Sequence, residues 1–281
     1  MKKWEHPYTP DPQYGKRVAY LSMEFGIDQS FKIYSGGLGY LAGSHMRSAY
    51  QLRQNMVGVG MLWRYGYYDQ VRKENGTMNV LLRRKFYSFL QDTGIKVTVY
   101  VKGYQVVVKA LYLAPEIFNT VPMYFLTTDI MENDHLARSI TSRLYDPNDA
   151  TRVAQNIVLG IGGAKVIEAI GGTDLFHINE AHPLPVAFHL LSKYGNVEEV
   201  RKRLVFTTHT PEKAGNSVRS IYLLDEMGFF NGIPLDTARD ITGMYGDMFE
   251  YTAAALRMSR LANGVSEIHG RVARKMCLRL V

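Results

Sequence analysis

DLFHINEAHPLPVAFHLLSKYGNVEEVRKRLVFTT, residues 174–208, is the most regular segment of the chain. Its two ends, residues 174–179 and 203–208, are short apolar runs of the kind that form strands buried on both faces. Residues 183–193, between them, carry helical spacing. A strand–helix–strand unit of this kind sets its strands in parallel through a right-handed crossover. The expected architecture is α/β, with a Rossmann-like, doubly wound parallel sheet.

Toward the amino terminus, residues 18–25 (VAYLSMEF) form another continuous apolar run, with Glu24 at its end. Gly36-Gly37-Leu38-Gly39 follows, and over residues 40–53 Leu41, Ala42, Met46, Ala49 and Leu52 recur at helical spacing. Residues 56–61 (MVGVGM) predict a second strand and residues 63–68 (WRYGYY) an aromatic connection. Alternating Val97, Val99, Val101 and Val106, Val108 flank Gly103, the pattern of a β-hairpin excursion laid beside the main sheet. Residues 123–128 predict a further buried strand. Residues 149–169 predict a long helix, with Asn148 and Asp149 as capping residues and Gly160, Gly162 and Gly163 placed for close packing. From 236 to 275 the pattern is helical almost throughout, with a break at residues 243–246 and a turn or cap at Asn263-Gly264. No repeat or linker divides the chain, so residues 1–281 are read as a single lobe whose first 16 residues are a lead segment.

The 281 residues are 46% hydrophobic and 21% charged, ample for a full core. A single cysteine, Cys277, excludes a disulfide framework or a cysteine-held metal and suits a cytoplasmic setting. No run of about 18 apolar residues occurs and no apolar stretch follows the charged start, so neither membrane insertion nor secretion is expected. The net charge is +7. The basic residues are dispersed apart from Arg83-Arg84-Lys85 and Arg201-Lys202-Arg203, which reads as solvated surface rather than a nucleic-acid footprint. Mild positive charge also suits small ligands that bear phosphate.

Ser35-Gly36-Gly37-Leu38-Gly39 puts unencumbered backbone N–H groups at a helix start, where unpaired donors and the helix dipole attract a phosphate. The spacing misses the dinucleotide G-x-G-x-x-G by one residue and lacks the Lys-Ser/Thr of a P-loop, and glycines also make plain tight turns. Polar residues stand at the carboxyl ends of three strands: Glu24; Asn179, Glu180 and His182; and His209 with Thr207, Thr208 and Thr210. In an open α/β sheet these ends line the ligand crevice. Taken singly, each is more often a structural cap or surface pair; their convergence points to a site. Carboxylates, amides and imidazoles supply the paired donors and acceptors that a polyhydroxylated ligand needs. Trp63, Tyr65, Tyr67 and Tyr68 offer either a stacking surface or core packing. No nucleophile elbow, metal-ligand run or C-x-x-C is present.

VAYLSMEFGI, IYSGGLGYLAGSHMRSA and MVGVGMLWRYGYYDQ resemble the opening of α-glucan (glycogen or starch) phosphorylases. LYDPNDATRVAQNIVLGIGGAKVI, FHINEAHPLPVAF, LVFTTHTPEKAGNS and LRMSRLANGVSEIHGRVARKM resemble later blocks of the same family, particularly its compact bacterial branch. The resemblance covers roughly residues 16–276. It implies the amino-terminal lobe of a two-lobed GT-B glycosyltransferase fold. The family cofactor, pyridoxal phosphate, is bound to a lysine of the carboxyl-terminal lobe, and nothing here resembles the motif carrying that lysine. Leu278 to Val281 also departs from the family's continuation, so the chain is expected to be truncated.

Residue by residue, the resemblance implies that Gly37, Leu38 and Gly39, with Gly36 before them, match the loop facing phosphate and the bound glucose. His209 matches the histidine that hydrogen-bonds the glucosyl unit being transferred, the catalytic contact. Glu24, Arg152, Glu180 and His182 fall where the family lines the acceptor-glucan side of the cleft, Glu180 standing where many members carry aspartate. The implied reaction is reversible phosphorolysis of an α-1,4-glucan or maltooligosaccharide by inorganic phosphate, giving glucose 1-phosphate. It requires no metal; members of the family are often homodimers, and the oligomeric state of the full-length protein is left open. A glycogen or starch synthase lobe shares the GGLG loop but typically has lysine before it and aspartate after it, where Ser35 and Tyr40 stand here. A non-catalytic glucan-binding lobe would bind maltooligosaccharide without phosphorolysis. A nucleotide-dependent oxidoreductase would need the full G-x-G-x-x-G.

Overall fold

The structure, a computed structural model, describes residues 3–210 and 216–277. Residues 211–215, inside the LVFTTHTPEKAGNS block, and the terminal residues 278–281 lie outside the described residues. In chain order the strands are β1 (Val18–Ser22), β2 (Met56–Met61), β3 (Asp69–Arg72), β4 (Met78–Leu81), β5 (Gln91–Val101) and β6 (Tyr104–Leu113). Then come β7 (Met123–Thr127), β8 (Leu175–Asn179), β9 (Leu204–Thr208), β10 (Val218–Ser220), β11 (Met248–Glu250) and β12 (Leu261–Gly264). Eight of them form one sheet in the order β12-β9-β8-β1-β2-β7-β6-β5.

From β12 to β7 the neighbours pair in parallel. Numbered among themselves, these six strands lie in the order 3-2-1-4-5-6 from β7 to β12, that of the doubly wound dinucleotide-binding sheet. The expected fold class is therefore met. Strand order reverses between β1 and β8, and there the connections leave in opposite directions and open a crevice. The hairpin is part of this sheet rather than beside it: β6 pairs antiparallel with β7 and β5 with β6, extending one edge. Its turn has Lys102 and Gly103 at φ 52° and 77°, the two left-handed residues of a type I′ turn.

Both faces of the sheet are covered, which explains its continuous apolar strands. A Cβ built on Gly58 of β2 would meet Met46 of the helix Gly37–Gln51, whereas its neighbour Val59 touches Gly163 from the opposite side. Side chains alternate along a strand, so the two helices cover opposite faces. The expected long helix over residues 149–169 forms, capped by the Asn148 side chain accepting from Thr151 N at 2.9 Å, but with a π turn at Val158–Gly162 in its middle. A Cβ on Gly160 would stand 2.7 Å from the Pro183 carbonyl, so this turn seats the loop that follows β8.

The reading of residues 236–275 as nearly all helix is corrected. Helices Leu235–Thr242, Tyr251–Met258 and Glu267–Cys277 are separated by β11 and β12. Asn263 and Gly264 end the strand β12, paired with Thr207 and Thr208 of β9, rather than forming a turn. Among the described residues no helix is long and apolar enough to cross a membrane.

Away from the crevice, Glu168 accepts from His189 and Lys193 at 3.2 and 2.7 Å. The His189 hydrogen bond first, then Lys193, hold its carboxyl down to about 2 from an ordinary 4.5, against the opposing effect of burial. A depressed carboxyl contributes stability that is present above the unfolded value and lost as pH falls through the folded one. Glu168→Gln is therefore expected to flatten the decline in urea midpoint between pH 4.5 and pH 2; an unchanged acid limb would refute this pairing.

Candidate functional site

Three strand ends meet at the crevice. β1 ends at Ser22, β8 at Asn179 and β9 at Thr208, so Glu24, Glu180 and His209 each lie just past a strand, as expected. With Ser35, Gly37, Leu38, Tyr145, Arg152, His182, Thr210 and Val265 they line a cleft of about 530 Å³.

Glu24 is 2% exposed, and its carboxylate accepts hydrogen bonds from three neighbouring residues. Oε2 accepts from Ser35 N at 2.6 Å and Gly36 N at 3.1 Å, and Oε1 from the Tyr145 hydroxyl at 2.7 Å. The helix begins at Gly37, three residues earlier than its apolar spacing indicated, so the glycine-rich run forms its first turn. There the N–H groups of Gly37, Leu38 and Gly39 have no preceding intrahelical carbonyl to bond. Gly37 and Leu38 line the cleft. Gly36 is the N-cap and its N–H is engaged by Glu24. Gly39 is buried behind, where a Cβ would come within 2.6 Å of Glu24 Oε2.

Glu180 holds a left-handed backbone at φ 61°, unfavourable for a residue with a Cβ. It is 6% exposed; its carboxylate accepts from Ala181 N at 3.1 Å and His209 N at 2.8 Å. Burial pushes the Glu180 carboxyl above the usual range, and these N–H bonds oppose the shift. The His209 ring meets Asn179 Oδ1 through Nε2. Burial, then nearby His269, hold its imidazole down to about 4, so it is neutral at pH 7. Burial likewise brings His182 down to about 3, with Arg152 adding to the effect, and its buried Nδ1 has no partner among the described residues. Both rings offer an acceptor nitrogen in this state.

Arg152 is half-buried, and its guanidinium makes no hydrogen bond or ion pair with any described residue. Its charge is felt by His182 and Tyr145. A cation without a carboxylate partner among the described residues, facing a cleft that also holds a helix N-terminus, is suited to an anion.

Of the nine candidate residues, seven line this cleft and Gly36 and Gly39 stand immediately behind it. Tyr145 and Val265 were not singled out from sequence. Tyr145 takes φ 56° just before the cap of the long helix, a conformation its residue type does not signal. Trp63 is wholly buried, its indole N–H donating to the Met23 carbonyl at 3.2 Å. Tyr65, Tyr67 and Tyr68 instead line an adjoining hollow with Ser35.

No protein-family model matches the chain. An uncharacterised protein of Methanocaldococcus jannaschii is 50% identical over 261 residues, 93% of this chain and 50% of that protein. The maltodextrin phosphorylase of Thermococcus litoralis is 32% identical over 302 aligned positions, 98% of this chain and 34% of that protein. The glycogen phosphorylase of Aquifex aeolicus is 32% identical over 289 positions, covering 94% and 41% respectively. Nearly the whole chain is thus related to proteins named phosphorylases, and it spans half or less of the length of each of these relatives.

Proposed function

We propose that this chain is the amino-terminal, glucan- and glucosyl-binding lobe of an α-1,4-glucan phosphorylase, one of two GT-B lobes that together close the catalytic cleft. The observation that carries the reading is the Arg152 guanidinium, without a partner among the described residues, beside neutral His182 in one cleft with the Gly37–Leu38 helix start and His209. A positive helix end and an arginine together suit phosphate, while His209, Glu24 and Glu180 suit sugar hydroxyls.

In this reading an oxygen of hydrogenphosphate forms a bond to the anomeric carbon of the terminal glucosyl unit, with retention overall. The bond from that carbon to the O4 of the next unit breaks, and O4 leaves as the new glucan end with the proton that the hydrogenphosphate gives up. Arg152, which the resemblance put on the acceptor side, is reassigned here to the phosphate, which it holds with the N–H groups of Gly37 and Leu38. His209 bonds a hydroxyl of the glucosyl ring, and Glu24, Glu180 and His182 serve the acceptor side.

Pyridoxal phosphate needs a lysine amine for covalent attachment, and none of the described residues lining the cleft is a lysine. The cleft does not fit as the site of attachment, and the reading assigns the cofactor to the second lobe.

Titration calorimetry with glucose 1-phosphate and with maltoheptaose tests the proposal. Arg152→Ala is expected to weaken glucose 1-phosphate about 10- to 100-fold, the loss of a charge-assisted contact, and maltoheptaose only a few-fold. Absence of binding by either ligand to the unaltered chain would contradict the reading.

A further inference from the structure

The hydrogen bonds behind His209 form a directed chain. The Asn179 amide nitrogen donates to Ser22 Oγ at 3.0 Å, and Ser22 Oγ donates onward to the Glu24 carbonyl at 2.8 Å. Ser22 and Asn179 are 0% exposed, so water does not compete for these groups. A carbonyl oxygen only accepts, so the Ser22 proton points to Glu24 and the Ser22 oxygen must accept from Asn179. This orients the amide, a choice its two similar ends would otherwise leave open. The Asn179 oxygen then faces His209 Nε2, which must carry the proton. Reversing the amide would draw the Ser22 hydroxyl away and leave the buried Glu24 carbonyl without that donor.

We infer that Ser22 and Asn179 are positioning residues that hold His209 as its Nε2–H tautomer and so present Nδ1 as a hydrogen-bond acceptor. The three residues end or follow three different parallel strands, β1, β8 and β9, and the relay crosses the point where strand order reverses. The backbone of His209 is fixed separately, its N–H donating to Glu180 Oε2 at 2.8 Å. An acceptor nitrogen takes a hydroxyl proton and offers no donor to the unprotonated oxygens of a phosphate. On the function proposed above, from which the ligand is taken, this keeps the two halves of the substrate apart: a glucosyl hydroxyl goes to His209 and phosphate to Arg152 and the helix start. The relay ends on Glu24, whose carboxylate engages the loop at Ser35 and Gly36, so both halves are aligned to one residue.

Long-range proton–nitrogen NMR of the chain labelled at histidine, without ligand at pH 7, reads the tautomer directly. His209→Gln assigns the signals. The expected spectrum shows Nε2 protonated and Nδ1 bare in a single form. Ser22→Ala and Asn179→Leu are each expected to shift the population so that Nδ1–H appears, whereas Asn179→Asp, which keeps an acceptor at Nε2, retains the single form. Protonation at Nδ1 in the unaltered chain would overturn the inference, as would an unchanged single tautomer in both Ser22→Ala and Asn179→Leu. Neither outcome depends on glucan binding, so failure here is distinguishable from failure of the phosphorylase reading, which calorimetry tests.

Discussion

Gly43→Ala is expected to destabilise the chain by about 3 kcal/mol or more, the upper end of overpacking costs. Gly43 lies in the helix Gly37–Gln51, and a Cβ there would stand 2.2 Å from the Gly26 carbonyl oxygen and 2.5 Å from its carbon. Both atoms are backbone, so no rotamer relieves the contact. Gly26 N also donates to the Gly39 carbonyl at 2.7 Å, tying the segment after β1 to the first turn of that helix. Alanine must therefore either part the helix from the strand it follows or shift the glycine-rich turn in the cleft. Urea unfolding at pH 7 measures the effect, and a loss below about 1 kcal/mol would show that the approach is looser than the structure has it.

His209→Ala is expected to lower phosphorolysis by about 100- to 1,000-fold in a two-lobe enzyme, the range for loss of one preorganised contact to developing charge. Maltoheptaose affinity should change only a few-fold. The contact matters most as the glucosyl ring becomes oxocarbenium-like, and an interaction stronger in the transition state than in the bound substrate appears in kcat. The fixed ring supports this division, since Asn179 and Glu180 hold the imidazole and backbone in place before any ligand arrives. A rise in KM at constant kcat would contradict the role.

Much of the fold was legible because buried parallel strands are written as unbroken apolar runs. VAYLS, MVGVGM, LFHIN and LVFTT are the four central examples, and the strand ends they define place Glu24, Glu180 and His209. β12 was not legible for the complementary reason. Leu261–Gly264 lies at the outer edge with its residues largely exposed, so selection for burial leaves no apolar run to read. The helix start at Gly37 was hidden because three glycines contribute no periodic side chains. Tyr145 and the strained Glu180 take left-handed conformations that tertiary contacts impose; neither residue type announces them. The sequence pattern thus located the strand ends, while the hydrogen-bond wiring between them emerged only from three-dimensional packing.

The most direct test is glucose 1-phosphate release from maltoheptaose and inorganic phosphate, with pyridoxal phosphate added, by the chain alone and mixed with the carboxyl-terminal lobe of a related phosphorylase. Release only in the mixture, lowered about 100-fold or more by His209→Ala, is the expected result. Release by the chain alone would contradict the assignment of the cofactor to a second lobe. No release in either case, with maltoheptaose still bound, would contradict the phosphorylase reading and leave a glucan-binding lobe in its place.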